Sequence, residues 1–223
     1  MAAMNYLSTS QIDSINSRYS NRLSVHGDAP QTLGWSSKTQ QTTRFERFTR
    51  YLSAQDFSLV DVGCGFGDLA QHLASTNYYP CAYLGIDINP KLLEVAHSRQ
   101  LPFPSSFICS NILDSTHPVS PPSSFDYVVA SGVFNLNFHH SLEMMEEFLF
   151  AMIDSMANIS SKRVILDFIP DIRHDSYIAE EYIATYSLLN IHNFLSSRHL
   201  KYILDLSQDP NPMSEALLIL DFS

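Results

Sequence analysis

Three alternate glycines follow an acidic residue at the end of an apolar run: Asp61-Val62-Gly63-Cys64-Gly65-Phe66-Gly67. The run before them, from Phe57 to Val62, reads as a strand, and residues from about Asp68 to Ala74 read as a helix. Glycines at such a corner permit positive φ and let a ligand approach the backbone closely, while the helix start points N–H groups at it. Dinucleotide sites carry G-x-G-x-x-G; here the third glycine falls one residue early. Asp61 stands two residues before Gly63, where its carboxylate can meet a cationic group of a ligand. Asp87 ends a second apolar run and, taken alone, also suits a ribose in a dinucleotide site. A lone glycine turn fits a purely structural corner equally well, so the elements and the residues downstream must decide.

Those elements alternate. Ala82 to Asp87 is the second strand, ended by Asn89-Pro90 and a helix over Leu92 to His97. Ser106 to Cys109 is a third strand and Phe125 to Ala130 a fourth. A long amphipathic helix runs from about Ser141 to Asn158, and Arg163 to Phe168 is a fifth strand. Continuous apolar strands separated by helices imply a parallel sheet covered on both faces. The tail differs. After a helical stretch from Tyr186 to Arg198, the runs Leu200–Leu206 and Glu215–Phe222 flank a turn, Gln208 to Pro212, too short for a crossover helix. They should pair antiparallel.

The first fifty or so residues are helical and polar. Ser8 or Ser10 caps a helix to about Asn21, with Ile12, Ile15, Tyr19 and Leu23 at helical spacing. A loop with Gly27, Pro30 and Gly34 follows, and Ser36 or Ser37 opens a second helix that turns Phe45, Phe48, Tyr51 and Leu52 inward. The expected organisation is a helical cap over residues 1–55 on an α/β unit over 56–223, together one structural unit.

Across residues 57–169 the pattern closely resembles the class I S-adenosylmethionine-dependent methyltransferases. The Val60–Gly67 loop matches their first motif, which implies S-adenosylmethionine held by Asp61, Gly63, Cys64, Gly65 and Gly67. The resemblance further implies that Asp87, with Ile88 beside it, accepts hydrogen bonds from the ribose hydroxyls. Asn111 and Ile112, just after the third strand, match the segment that meets adenine. Phe125 to Phe134, with Ser131 and Gly132, matches the segment that passes beneath the sulfonium. The implied fold is a Rossmann-like sandwich on a seven-stranded sheet, five parallel strands plus a C-terminal antiparallel hairpin.

The segment Leu33 to Phe45 looks like a cap seen in a bacterial subgroup of this fold. Gln41 and Arg44 share a helix face, and Arg44 is the candidate for the cofactor carboxylate, which a guanidinium can grip with two parallel bonds; the competing reading is a solvated helix residue. Trp35, the only tryptophan, can offer its ring face to a sulfonium, as can Phe134 and Tyr177; the competing reading of each is core packing. Asn135 and Asn190 are candidate polar anchors, although Asn190 suits an exposed helix face as well. His139-His140 is set aside, because adjacent histidines point to different helix faces and no second cluster completes a metal site.

Two chemistries and one inert reading follow. The first is methyl transfer to a small acceptor, for which no acceptor base is evident after Phe134-Asn135. The second is cyclisation of S-adenosylmethionine as sole substrate, giving azetidine-2-carboxylate and methylthioadenosine. In the Trp35 cap and Phe134-Asn135 the chain is similar to bacterial azetidine-2-carboxylate synthases; Trp35, Phe134, Asn135, Tyr177 and Asn190 would form the box that folds the aminobutyryl arm. The third is a cofactor-binding module without turnover, against which the intact Asp61 loop and Asp87 argue.

Bulk properties narrow the partners. With 13 Lys+Arg against 23 Asp+Glu the formal net charge is −10. No basic patch offsets it: Arg44, Arg47 and Arg50 are interleaved with Glu46. Nucleic acid is therefore a poor substrate, and a small molecule the better one. No apolar stretch reaches the roughly 18 residues of a membrane span. Cys64, Cys81 and Cys109 have no metal-ligand spacing, and the N-terminus lacks a signal peptide, so reduced thiols in the cytoplasm are expected. The oligomeric state is not encoded in any pattern here.

Overall fold

The computed structural model describes residues 8–114, 124–138, 140–172, 182–206 and 215–222. Of the positions singled out above, Tyr177, His139 and the Gln208–Pro212 turn lie outside them.

Two helices precede the sheet. Helix α1, Thr9–His26, starts on Ser8, whose side chain forms a reciprocal capping box with Gln11, and stops at Gly27. It runs past Asn21 because nothing in its polar sequence breaks a helix before that glycine. After a 3-10 turn at Pro30–Leu33, helix α2, Lys38–Thr49, is capped by Ser37.

The α/β unit follows as β1 Ser58–Val62, α3 Asp68–Ser75, β2 Ala82–Asp87, α4 Pro90–Ser98, β3 Ser105–Cys109, β4 Phe125–Ala130, α5 Leu142–Ala157, β5 Ser160–Phe168, α6 Leu188–Ser197, β6 Tyr202–Asp205 and β7 Ala216–Asp221. The seven strands lie in the order β3-β2-β1-β4-β5-β7-β6. The first five pair in parallel; β7 runs antiparallel between β5 and β6. The expected mixed sheet is therefore present.

Alternating strand residues feed two cores. Val60, Val62, Val128, Val164, Leu166 and Leu218 pack under α5 and α6. Leu59, Tyr127, Val129, Ile165 and Ile219 face the other way, toward Phe45 and Phe48 of α2, Leu69 and Leu73 of α3, and Leu93 and Ala96 of α4. Asp61 and Asp167 fall on this second face by the period of two. Both are buried, and Arg44 of α2 reaches Asp167.

Candidate active site

Strand order reverses between β1 and β4, where β1 and its neighbours end in an open crevice, the place where α/β sheets bind ligands. The corner after β1 is built from backbone. Gly63, Gly65 and Gly67 all have positive φ, and the amides of Gly63 and Cys64 donate to the Ile86 carbonyl at 2.8 and 3.1 Å. Asp87 then ties the corner to β2: its carboxylate accepts from the Gly65 amide and from the Asn89 amide, both at 2.8 Å. The Ile88 amide is a third backbone donor to this carboxylate. Burial raises the Asp87 pKa, opposed by these backbone bonds.

Asp61 sits below the corner, 3% exposed. Tyr83 of β2 donates its hydroxyl to Asp61 at 2.5 Å. Burial nevertheless pushes the Asp61 carboxyl up to about 7, the Tyr83 hydrogen bond acting in the opposite direction.

A cavity of about 370 Å³ opens over this corner. Its wall includes Asp61, Gly63, Cys64 and Gly65 from the turn, Asp87 and Ile88 from the end of β2, Ser110, Asn111 and Ile112 after β3, and Ser131, Gly132 and Val133 after β4. Trp35 closes one side. Of the residues expected at the cofactor, the structure thus brings together all but two. Gly67 is not part of the wall; it is the left-handed cap of α3, and a side chain there would press on Phe107.

Arg44 is the other exception, and its expected role changes. It is neither solvated nor at the cavity: only 6% exposed, it donates to Asp167 at 2.8 Å and ion-pairs with Glu215. Buried and paired with two carboxylates, the guanidinium lies away from the cavity wall. Its neighbour on the helix face, Gln41, does line the cavity, donating to Asp68 at 2.8 Å and accepting from Lys38 at 2.9 Å. Asp68 also meets Arg99 at 3.0 Å.

The aromatic box expected for cyclisation is not assembled among the described residues. Phe134 is fully buried, packed 5.8 Å from Phe148 in the core rather than at the cavity. Asn135 donates to Glu215 at 3.3 Å and lies behind the wall. Asn190 is on the exposed face of α6, bonded to Glu146 at 2.8 Å. Trp35 alone of the four described members lines the cavity.

Several lining residues carried no expected role. Gln11, Ile15 and Tyr19 project from one face of α1, and their spacing of four in the sequence was the available signal. Asn16 of the same helix donates to the Ile88 carbonyl at 3.1 Å and accepts from Asn89 at 3.2 Å. Burial, with Asp87 nearby, raises the Tyr19 pKa. His140, Glu147 and Phe148 also line the cavity; the His140 ring is 2.7 Å from the Gln11 amide. His140 is thus a cavity residue, lying just before α5.

Comparison with known proteins agrees with this geometry. Residues 60–157 match the family described as Methyltransferase domain. A Mycobacterium tuberculosis protein named as a methyltransferase is 34% identical over 85 residues, which are 38% of this chain and 46% of that protein. The chain thus spans about half the length of that curated relative. Among solved structures, magnesium protoporphyrin IX methyltransferase from Synechocystis with bound S-adenosylmethionine superposes with a TM-score of 0.66 at 19% identity, covering 100% of both chains. An amino pentose methyltransferase from Micromonospora echinaspora gives 0.53 at 13% identity, over 83% of this chain and 90% of the other. Strand order and glycine corner give the chain the Rossmann-like fold of these solved methyltransferases, and residues 60–157 within it resemble the methyltransferase domain.

Proposed function

We propose that the protein binds S-adenosylmethionine in the cavity over the glycine corner and transfers its methyl group to a small-molecule acceptor. The observation that carries this reading is the charge pattern of the wall, which suits the cofactor from end to end. Asp61, on the cavity wall, would meet the ammonium of the amino-acid arm. Gln41, with Lys38 beside it, offers donors for the carboxylate, the role expected earlier of Arg44. The Asp87 carboxylate on the cavity wall suits the ribose hydroxyls, and Ser110, Asn111 and Ile112 would flank the adenine.

When bound, the cofactor supplies a methyl group on a positively charged sulfur, already activated for displacement. The chain has to hold that carbon in line with a nucleophile and keep water out. The Ser131–Val133 turn and the indole of Trp35 form the wall nearest such a centre, and a ring face there favours a cation by about 0.5–2 kcal/mol. Helix α1 covers the ribose side through Ile15 and Tyr19.

A small acceptor is favoured by the net charge of −10, which repels polyanions. The solved neighbours named for a porphyrin and an amino sugar support the same class. Cyclisation loses support because its box is not assembled among the described residues.

The test is to incubate purified protein with S-adenosylmethionine alone and then with panels of small amine, hydroxyl and carboxyl acceptors, following products by mass spectrometry. We expect the cofactor to stay intact alone and S-adenosylhomocysteine to form with an acceptor. Rapid formation of methylthioadenosine without any acceptor would overturn methyl transfer in favour of cyclisation, and binding without turnover across all panels would favour a module.

A further inference from the structure

Arg44, Asp167 and Glu215 form a buried cluster that the reaction itself does not use. Arg44 is 6% exposed, Asp167 fully buried and Glu215 13% exposed. One cation set between two anions leaves the cluster one negative charge in excess. Taking three charges out of water is costly, and apolar residues of similar size usually stabilise a fold as well or better. Stability alone therefore accounts poorly for this arrangement, and its bonds point elsewhere.

Both oxygens of Asp167 are committed to the turn after β4. One accepts from the Gly132 amide at 2.7 Å; the other accepts from the Ser131 hydroxyl at 2.9 Å and from Arg44 at 2.8 Å. Gly132 has φ +74°, a left-handed conformation that few side chains adopt, and a Cβ there would lie 3.6 Å from the Trp35 ring. The Arg44 guanidinium in turn lies 5.3 Å from the centroid of Trp35, and Phe45 meets the same ring edge-on at 6.4 Å. Two routes from Arg44 thus converge on one stretch of cavity wall: directly onto the indole, and through Asp167 onto Ser131 and Gly132.

We propose that Arg44 is a positioning residue that sets the Trp35 ring and the Ser131–Gly132 turn for cofactor binding without touching the cofactor. The proposal rests on reading the cavity as the S-adenosylmethionine site. Arg44 ties the helical segment before the sheet to the ends of two paired strands. It comes from α2 in the cap, Asp167 from the end of β5, Glu215 from just before β7, and Trp35 from the segment before α2. The planar guanidinium suits this task, because it can bond carboxylates along its edges while laying a face on an aromatic ring. Lysine keeps the charge and loses the plane.

Trp35 is the only tryptophan, so its fluorescence reports this wall without labelling. The experiment compares wild type, Arg44→Gln, Arg44→Lys, Asp167→Asn and the Arg44→Gln/Asp167→Asn double variant. Circular dichroism checks the fold, emission and acrylamide quenching of Trp35 are read in the ligand-free proteins, and S-adenosylmethionine affinity is measured by calorimetry. Arg44→Gln should weaken binding about tenfold, which is about 1.4 kcal/mol, with red-shifted and more quenchable Trp35 emission. Arg44→Lys should recover part of the affinity. The double variant should bind about as weakly as the weaker single variant, since both changes break one unit.

A packing role would lower the melting temperature yet leave the affinity and emission of the folded protein unchanged. Folded Arg44→Gln with wild-type affinity and emission overturns the proposal. Where Arg44→Gln does not fold, wild-type affinity and emission in both Arg44→Lys and Asp167→Asn overturn it. Wild-type protein that fails to bind S-adenosylmethionine removes the cofactor reading and the affinity half of the proposal with it. The ligand-free Trp35 comparison then still judges the positioning half, which unchanged emission and quenching would sink.

Discussion

Asp61 is a carboxylate kept away from water, with one phenol hydrogen bond to offset the loss. Burial holds its pKa near 7, far above the usual carboxylate range. The sign of the linkage follows. In the ligand-free protein the raised pKa contributes stability that is fully present below the ordinary carboxylate pKa and is lost as pH rises through about 7. A bound ammonium reverses the preference, because it favours the ionised carboxylate. Affinity for S-adenosylmethionine should therefore rise with pH up to about 7 and then level, with a proton released on binding near pH 6. Calorimetry in buffers of different ionisation enthalpy measures that release; Asp61→Asn should abolish it, and an unchanged release in this variant would assign it to another group. Asp61 was legible in the sequence because its neighbours in the chain define its surroundings. Arg44 was not: its partner Asp167 lies 123 residues further along, and helix-face reasoning cannot see a charge brought in by another element.

At the scale of elements, local rules carried most of the fold. Ser8, Ser37, Asn89 and Ser141 each cap the helix that their position announces. The apolar runs became strands within a few residues of their expected ends, since buried parallel strands need an uninterrupted apolar sequence. The placement of β7 between β5 and β6 was beyond local rules, being fixed by pairing between distant segments. Close contacts between elements were equally hidden. Gly85 in β2 has ordinary strand geometry, yet a Cβ there would stand 2.4 Å from the Phe107 ring and 2.8 Å from the Cys64 sulfur. Gly85→Ala should thus cost about 1–3 kcal/mol through overpacking alone. In a chain of this size each kcal/mol lowers the melting temperature by about 2–4 °C. Thermal denaturation reads the effect, and a melting temperature within about 1 °C of wild type would mean that Phe107 and the glycine corner yield more easily than this packing allows.

Across the whole molecule, two parts of unequal stability meet at the cavity. The sheet buries both faces, whereas α1 buries only Ile15. What holds α1 in place is a small set of polar ties: Asn16 with Ile88 and Asn89, Gln11 with His140, and Arg22 with the carbonyls of Gln31 and Thr32. Few buried apolar contacts and exposed helical hydrogen bonds are the marks of a segment that opens locally. Yet Gln11, Ile15 and Tyr19 wall the cavity, so a ligand seated there gains contacts only while α1 is closed. The opening equilibrium of α1 and the cofactor affinity must then be linked. Amide hydrogen exchange should be fast along α1 and slow in β1, β4 and β5 of the free protein. S-adenosylmethionine at about 100 times its Kd stabilises the closed form by up to about 2.7 kcal/mol, slowing exchange in α1 by up to about a hundredfold. The central strands, whose exchange requires global unfolding, should slow by about the same factor, because that opening also releases the ligand. Protection confined to the sheet and the glycine corner, with α1 exchanging as before, would show that the helix stands beside the cofactor without closing on it.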